Sequence, residues 1–332
     1  MSKLLSICIP SYNMEQYLSR CVDSMLVDEV LDQLEIIIVN DGSKDGTLAI
    51  ANDYKQRYPQ SVVVIDKPNG HYGSCINASL KVATGKYFRI VDADDWVDSQ
   101  ALAQLVTRLN DLDVDCVCTK YAIQKEGESH PTAMRIDAPL DTVLDLNQFK
   151  LPIECFHMHC LTYKIELLKK IGYKQTEGVC YTDTEYLFVP LSCSKNIYFM
   201  DIAVYQYLLD RGGQSMARAQ VVKNNWHFLK VIKSISNTHR ANLPFNSNEP
   251  LIWSFAQSNL IEWAAVIYIF YLEYDEEKET ILRNSIAELR REGLLRFNGF
   301  WAKIRMAIFY LWYFSGEKLS KYLTQPIRKL KR

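Results

Sequence analysis

Four short runs rich in β-branched and aromatic residues set the frame for this chain: Leu4–Ile9, Glu35–Val39, Val62–Ile65 and Tyr87–Val91. Runs of that length suit strands covered on both faces. Between them, Glu15–Leu26, Thr47–Tyr58 and Ser74–Ala83 carry apolar residues at helical spacing. This alternation predicts an α/β fold with a mainly parallel central sheet and helices on both faces. Such sheets bind ligands beyond the carboxyl ends of their strands. Polar clusters follow three of the runs, at Pro10–Asn13, Asn40–Ser43 and Asp92–Asp95. All three are therefore expected along one edge of the sheet.

The last cluster is the most demanding chemically. Asp92, Asp94 and Asp95 place three carboxylates within four residues at the end of a buried strand, where they repel one another and are costly to desolvate. A hard divalent cation offsets that cost, because Mg²⁺ and Mn²⁺ take carboxylate oxygens and bridge them to phosphates. A solvated acidic turn before the helix near Ser99 is the plainer alternative. Asn40-Asp41-Gly42-Ser43 is good turn chemistry, and an Asp at a strand end can also accept the imide N–H of a uracil. Lys67 to Asn77 forms a loop entering a helix. Its glycines allow close approach of backbone to a ligand, and the helix start near Ser74 can face phosphate or simply be capped by Ser74.

The chain has 332 residues, 48% hydrophobic and 23% charged, which suits one large domain or two modest ones. A net charge of −1 argues against nucleic-acid binding. The charge is unevenly placed, since residues 300–332 hold eight basic side chains and one acidic one. Nine scattered cysteines without Cys-x-x-Cys spacing read as reduced core residues of a cytoplasmic protein. The apolar run after Met1 is too short and too early for a signal peptide. Residues 1–215 are expected to form a catalytic domain, with halves 1–110 and 111–215. Long helical patterns from Met216 predict a helical C-terminal domain over 216–332, with helices at Arg218–Ile235, Pro250–Leu272 and Glu276–Leu295.

Five ordered segments carry a resemblance. They are Ile9-Pro10-Ser11-Tyr12-Asn13, Ile38-Val39-Asn40-Asp41-Gly42-Ser43, Asn69…Gly73…Asn77, Ala83-Thr84-Gly85-Lys86-Tyr87 and Asp92-Ala93-Asp94-Asp95. Together they resemble the family-2 inverting glycosyltransferases of bacteria. The resemblance implies a glycosyltransferase A-type fold. It implies that Pro10, Tyr12 and Asp41 hold the nucleoside base, within a nucleotide site that also includes Asn13, Asn69, Gly70, Asn77 and Asp92. Asp92 and Asp94 would bind Mn²⁺ or Mg²⁺, Asp94 more directly, and Asp95 would bind backbone or sugar hydroxyls. An inverting transferase needs a base for the acceptor hydroxyl. Similarity places Asp183 there, with Glu185 as the fallback, although Thr182 stands where the family often has Glu. Arg211 and Gln214 resemble the loop that closes over the donor. The Gln-x-x-Arg-Trp signature of processive members is absent, which favours transfer of one sugar. His157 and His159 alternate on one face of an extended segment and are expected to line the acceptor pocket, or to be ordinary strand histidines.

Phe300–Phe314 is aromatic and apolar except for Lys303 and Arg305. As a helix it spans about 22 Å, short of the roughly 30 Å hydrocarbon core. Trp and Tyr beside Lys and Arg suit a helix lying on an anionic membrane, while a core helix or an interface in a homo-oligomer stays open. Leu251–Leu272 carries Gln257, Asn259 and Glu262 and reads as a buried helix. The expected activity is transfer of a hexosyl or N-acetylhexosaminyl group from a UDP-sugar, or a dTDP-sugar, to a saccharide or lipid-linked acceptor in cell-surface polysaccharide or glycolipid assembly. The expected place is the cytoplasm, or the inner face of the membrane. The alternative is an inactive nucleotide-sugar-binding or scaffold protein of the same fold.

Overall fold

The computed structural model describes residues 3–125, 131–153, 156–209, 218–271 and 276–291. The chain divides into two compact units, Met1–Arg211 with Leu243–Glu249, and Gly212–Asn242 with Pro250–Arg332. The aromatic, basic tail at 300–332 lies outside the described residues, as do Arg211 and Gln214.

The first unit is built on a mixed ten-stranded sheet. Its strands are β1 (Leu5–Ser11), β2 (Leu34–Asp41), β3 (Val62–Lys67), β4 (Tyr87–Ile90), β5 (Trp96–Val97), β6 (Cys116–Lys125), β7 (Thr132–Ala133), β8 (Val143–Asp145), β9 (Leu161–Lys164) and β10 (Asn196–Leu209). The order is β3-β2-β1-β4-β9-β6-β10-β5, with β7 on β6 and β8 on β10. β3, β2, β1 and β4 run parallel. β9 enters antiparallel between β4 and β6, and β10 then runs parallel to β6. Helices α1 (Leu18–Asp23), α2 (Thr47–Arg57), α3 (His71–Val82), α4 (Ser99–Asp111), α5 (Ile165–Lys170) and α6 (Asp183–Cys193) connect them. β1 and β2 are buried along their whole length, which accounts for their unbroken apolar runs. The β1–β2 and β1–β4 registers bring Ser11, Asn40 and the start of the acidic loop to the same end of the sheet.

One buried carboxylate organises the opposite end. Glu35 on β2 accepts Ser6 Oγ at 2.5 Å and, from the turn before β4, Thr84 N at 2.9 Å and Thr84 Oγ1 at 2.7 Å. Gly85 N donates to Ser6 Oγ at 3.0 Å. The acid is thus satisfied by three donors while tying three parallel strands together.

In the second unit the expected helix Arg218–Ile235 is two helices, α7 (Arg218–Lys223) and α8 (His227–Arg240). The break falls at Asn224-Asn225, where Asn225 Nδ2 donates to Ala264 O at 3.3 Å instead of facing solvent from a helix. α9 (Glu249–Tyr271) and α10 (Glu276–Arg291) follow. His239 stacks on Trp253 with ring centroids 5.0 Å apart. Among the described residues no helix is long and apolar enough to cross a membrane.

Gly85 has no room for a side chain: a Cβ there would lie 2.7 Å from both Ser6 N and Ser6 Oγ. The Gly85→Ala variant is expected to lose about 1–3 kcal/mol of stability by overpacking, read as a lower urea midpoint with unchanged slope.

Candidate active site

The loop after β4 folds back on itself, with Asp95 N donating to Asp92 O at 3.0 Å. Asp95 is 1% exposed. Its carboxylate accepts the Tyr205 hydroxyl at 2.5 Å and the Leu208 amide at 2.8 Å, both from β10. Asp95 therefore binds backbone and anchors the acidic loop to a strand more than a hundred residues away. Burial, then Asp94 and Asp92, hold its pKa well above the usual carboxylate range. Asp92 accepts the Tyr72 hydroxyl at 2.7 Å. Burial first, and Asp94 second, push its pKa up to about 7. Asp94 is fixed through its backbone, whose carbonyl accepts Arg20 Nη2 at 2.7 Å.

A wall of aromatic rings closes the loop from the side of β9 and β10. His159 packs against Tyr205 and Tyr207 at centroid distances of 4.3 and 4.7 Å. Ligand atoms of Asp92, Asp95 and His159 all lie within 4.8 Å of one another. The segment holding the histidines is a 3-10 turn, Met158–Cys160, preceded by extended His157, rather than a continuous extended run. The two imidazoles nevertheless stack, 6.3 Å apart and 18° from parallel. Burial, then His157 and Arg89, push the His159 pKa down to about 3, so the ring is neutral across the physiological range. Its Nδ1 is buried without a hydrogen-bond partner.

On the other side, Asp41 ends β2. Its Oδ1 accepts Lys67 Nζ and, at 2.9 Å, Gly70 N. Lys67 also donates to Ser74 Oγ at 2.8 Å and to Pro68 O at 2.8 Å. Asn69 Nδ2 donates to Asp41 O at 2.9 Å. Asn13 Oδ1 accepts Lys44 N at 2.8 Å, while Tyr12 is 46% exposed beside it. Pro10 is buried in β1. Asn77, expected at the nucleotide, is instead committed to the scaffold. Its Nδ2 donates to Gln175 O at 2.9 Å and Glu177 Oε1 at 2.8 Å, and its Oδ1 accepts Gln175 N at 2.9 Å. It lies on the α3 face that meets the 175–178 loop, away from the strand ends.

That contact links the two halves of the site. Gly178 N donates to Gly70 O at 2.9 Å. A Cβ on Gly73 would come within 2.2 Å of Thr176 O, so α3 and the loop before α6 meet backbone to backbone. Thr182 is buried, its Oγ1 donating to Gln175 Oε1 at 2.8 Å. Glu185 is also buried, accepting Thr176 N at 2.8 Å and Thr176 Oγ1 at 2.6 Å. Asp183 lies between them at the first position of α6 and reaches solvent. Desolvation by the surrounding protein raises its pKa. Asp92 feels its charge. Asp183 is thus the accessible acid of α6, whereas Glu185 is bound to the loop.

Tyr72, Lys67 and Arg20 join the site without having been singled out from the sequence. Tyr205 and Tyr207 had one readable signal, their spacing of two on a strand, which puts both on one face.

A sequence profile described as glycosyl transferase family 2 matches residues 6–172. The chain is 30% identical over 250 residues to the uncharacterized glycosyltransferase YibD of Escherichia coli (strain K12), covering 71% of each protein. It is 25% identical over 251 residues to the minor teichoic acid biosynthesis protein GgaB of Bacillus subtilis (strain 168), covering 72% of this chain and 27% of the relative. The chain spans about a third or less of the length of several curated relatives it matches. Among solved structures, S. aureus TarS 1-349 in complex with UDP-GlcNAc superposes with a TM-score of 0.62 at 18% identity, covering 99% of this chain and 91% of that one. It has the same fold.

The raised pKa of Asp92 makes a stability prediction. A carboxyl whose folded pKa exceeds its unfolded value stabilises the fold below the unfolded value, and that contribution is lost as pH rises through the folded one, here about 7. Asp92→Asn removes the loss and keeps an acceptor for Tyr72. In EDTA at pH 8 the variant is expected to melt about 2–5 °C above the parent, and the gap is expected to shrink at pH 5. Scanning fluorimetry at the two pH values checks this.

Proposed function

The chain belongs to glycosyl transferase family 2, and from that premise we propose that it transfers a hexosyl or N-acetylhexosaminyl group from a nucleoside-diphosphate sugar to an acceptor hydroxyl with inversion. The observation that carries this reading is that an accessible acid at the start of α6 lies close enough to the acidic loop for Asp92 to feel its charge. The Asp92–Asp95 loop follows β4, and Asp183 opens α6 with a raised pKa. We assign both to the first unit, which supports a catalytic domain over residues 1–215.

Asp183 accepts the proton of the acceptor hydroxyl as its oxygen attacks the anomeric carbon. The new C–O bond forms on the face opposite the nucleotide, and the electron pair of the breaking bond leaves on the diphosphate. A raised pKa makes Asp183 a better match to a hydroxyl proton than an ordinary carboxylate. The exposed ring of Tyr12 offers a stacking surface to the base. Asp41, held by Lys67 and Gly70 through one oxygen, offers the other to a uracil or thymine imide. This supports a UDP-sugar, with a dTDP-sugar as the second choice.

The donor set fits a divalent cation. Asp92 and Asp95 offer carboxylate oxygens and neutral His159 an imidazole nitrogen, all within 4.8 Å of one another, and Asp94 adds a third carboxylate from the same loop. Oxygen ligands with one nitrogen suit Mn²⁺ better than Mg²⁺. A bound cation supplies charge to stabilise the departing diphosphate. GgaB supports an acceptor in a cell-surface polymer, and the charge of residues 300–332 supports peripheral attachment to an anionic, cytoplasm-facing membrane.

With purified protein, Mn²⁺ and a panel of nucleotide sugars, one donor is expected to bind and to be turned over. Asp183→Asn is expected to keep donor affinity and lose about 10²–10⁴-fold in kcat, and the parent's kcat/KM is expected to fall as pH drops through the raised Asp183 pKa. Calorimetry and turnover assays separate the two effects, and full activity in the variant removes Asp183 from the role. Asp94→Ala and EDTA are each expected to abolish turnover. Activity surviving both would exclude the cation.

A further inference from the structure

Two adjoining basins of about 460 and 310 Å³ lie where β5 pairs with β10, within the ~300–1,000 Å³ range of ligand-binding clefts. They share Asp98, Gln100, Pro131 and Gln206 and so form one groove. It is distinct from the acidic site. Tyr205 and Tyr207 turn toward Asp95 and His159, and by strand alternation Gln206 between them faces the other side of the sheet. There it is paired with Trp96 of β5 and Ala122 of β6.

The lining has a consistent chemistry. Gln100 and Gln104 present exposed amides, each carrying both donors and an acceptor, while Gln124 and Gln206 line the groove with amides already donating to Lys125 O and Ala203 O. Trp96 presents an indole, one face of which is covered by the Arg20 guanidinium 4.0 Å from the ring centroid. Alanines at 101, 122, 133 and 203 keep the floor shallow. Among the described residues, no Lys, Arg or His lines the groove. The one carboxylate, Asp98, already caps α4 by accepting Ala101 N at 2.8 Å.

We propose that this groove is a second saccharide site that takes a neutral glycan chain. Sugar hydroxyls both donate and accept, as the Gln100 and Gln104 amides do. An aromatic plane suits the apolar face of a pyranose ring. Among the described lining residues a polyanion would meet the Asp98 carboxylate and no Lys, Arg or His, and the Arg20 guanidinium over Trp96 is already bonded to Asp94 O. The groove is coupled to the reaction centre through Trp96, because the Arg20 that covers it also donates to Asp94 O at 2.7 Å. A chain seated there lies beside the acidic loop, where an acceptor or a product glycan can be held while one end reacts.

The test uses the full chain and saturation-transfer NMR. The neutral probes are maltohexaose, chitohexaose and mannohexaose, and the anionic ones are hexagalacturonate and oligomeric glycerol phosphate. At least one neutral hexaose is expected to bind more tightly than either anion. The double variant Gln100→Ala, Gln104→Ala changes exposed helical positions to a good helix former, so the fold is retained. It is expected to weaken that binding about tenfold or more, while nucleotide-sugar hydrolysis stays within about twofold of the parent. Absence of neutral-hexaose binding, a preference for an anion, or binding unchanged in the variant would overturn the proposal. Because binding is read without turnover, failure of the catalytic assignment leaves this result interpretable.

Discussion

Asp95 accepts the Tyr205 hydroxyl and the Leu208 amide, and through those two bonds the acidic loop acquires its shape. A short polar loop after β4 has no internal means of holding three carboxylates close together. Anchoring the innermost one on β10 removes it from solvent and leaves its neighbours at the rim. The same anchor aligns Tyr205 and Tyr207 with His159, since all three rings pack where β10 passes the 3-10 turn.

The arrangement costs stability. Burial raises the pKa of Asp92, Asp95 and Asp183 alike, and the Asp92–Asp94 repulsion adds to it. The surrounding hydroxyls of Tyr72 and Tyr205 offset part of that cost by donating to the charged forms. The remainder is a reservoir that a cation or an acceptor proton can release. Folding free energy is given up at the positions where chemistry requires unpaired acid.

The parallel strands, the turns after them and the acidic loop were legible in the sequence because each depends on residues adjacent in the chain. Asp183 at the start of α6 was legible for the same reason. Lys67 was not singled out, because its role comes from the β2–β3 register that sets it opposite Asp41. Tyr72 reads as one more residue of a Gly-rich loop until α3 is packed against β1. Asn77 was misread in the opposite sense: a polar residue on a helix near the ligand edge looked like a contact, but its amide faces the loop at 175–178. Asp95 and its neighbours could be ranked only by resemblance. Their actual division follows from β10, which arrives from far along the chain and selects the residue it binds.

Arg89 extends that logic beneath the site. It is fully buried on β4, and its guanidinium donates to Thr162 Oγ1 at 2.9 Å, to Thr119 Oγ1 at 3.3 Å and to the carbonyl of His159. Burial lowers its own pKa, yet a guanidinium stays charged. The bond to the His159 carbonyl fixes the 3-10 turn that presents the imidazole. Its charge adds to burial and to His157 in keeping that imidazole neutral. A protonated His159 would neutralise the nearby acids itself and offer no lone pair. Held neutral, it adds no positive charge and keeps a nitrogen lone pair beside them. A positive residue below the sheet edge thus preserves a negative site above it, and both depend on the antiparallel insertion of β9 between β4 and β6.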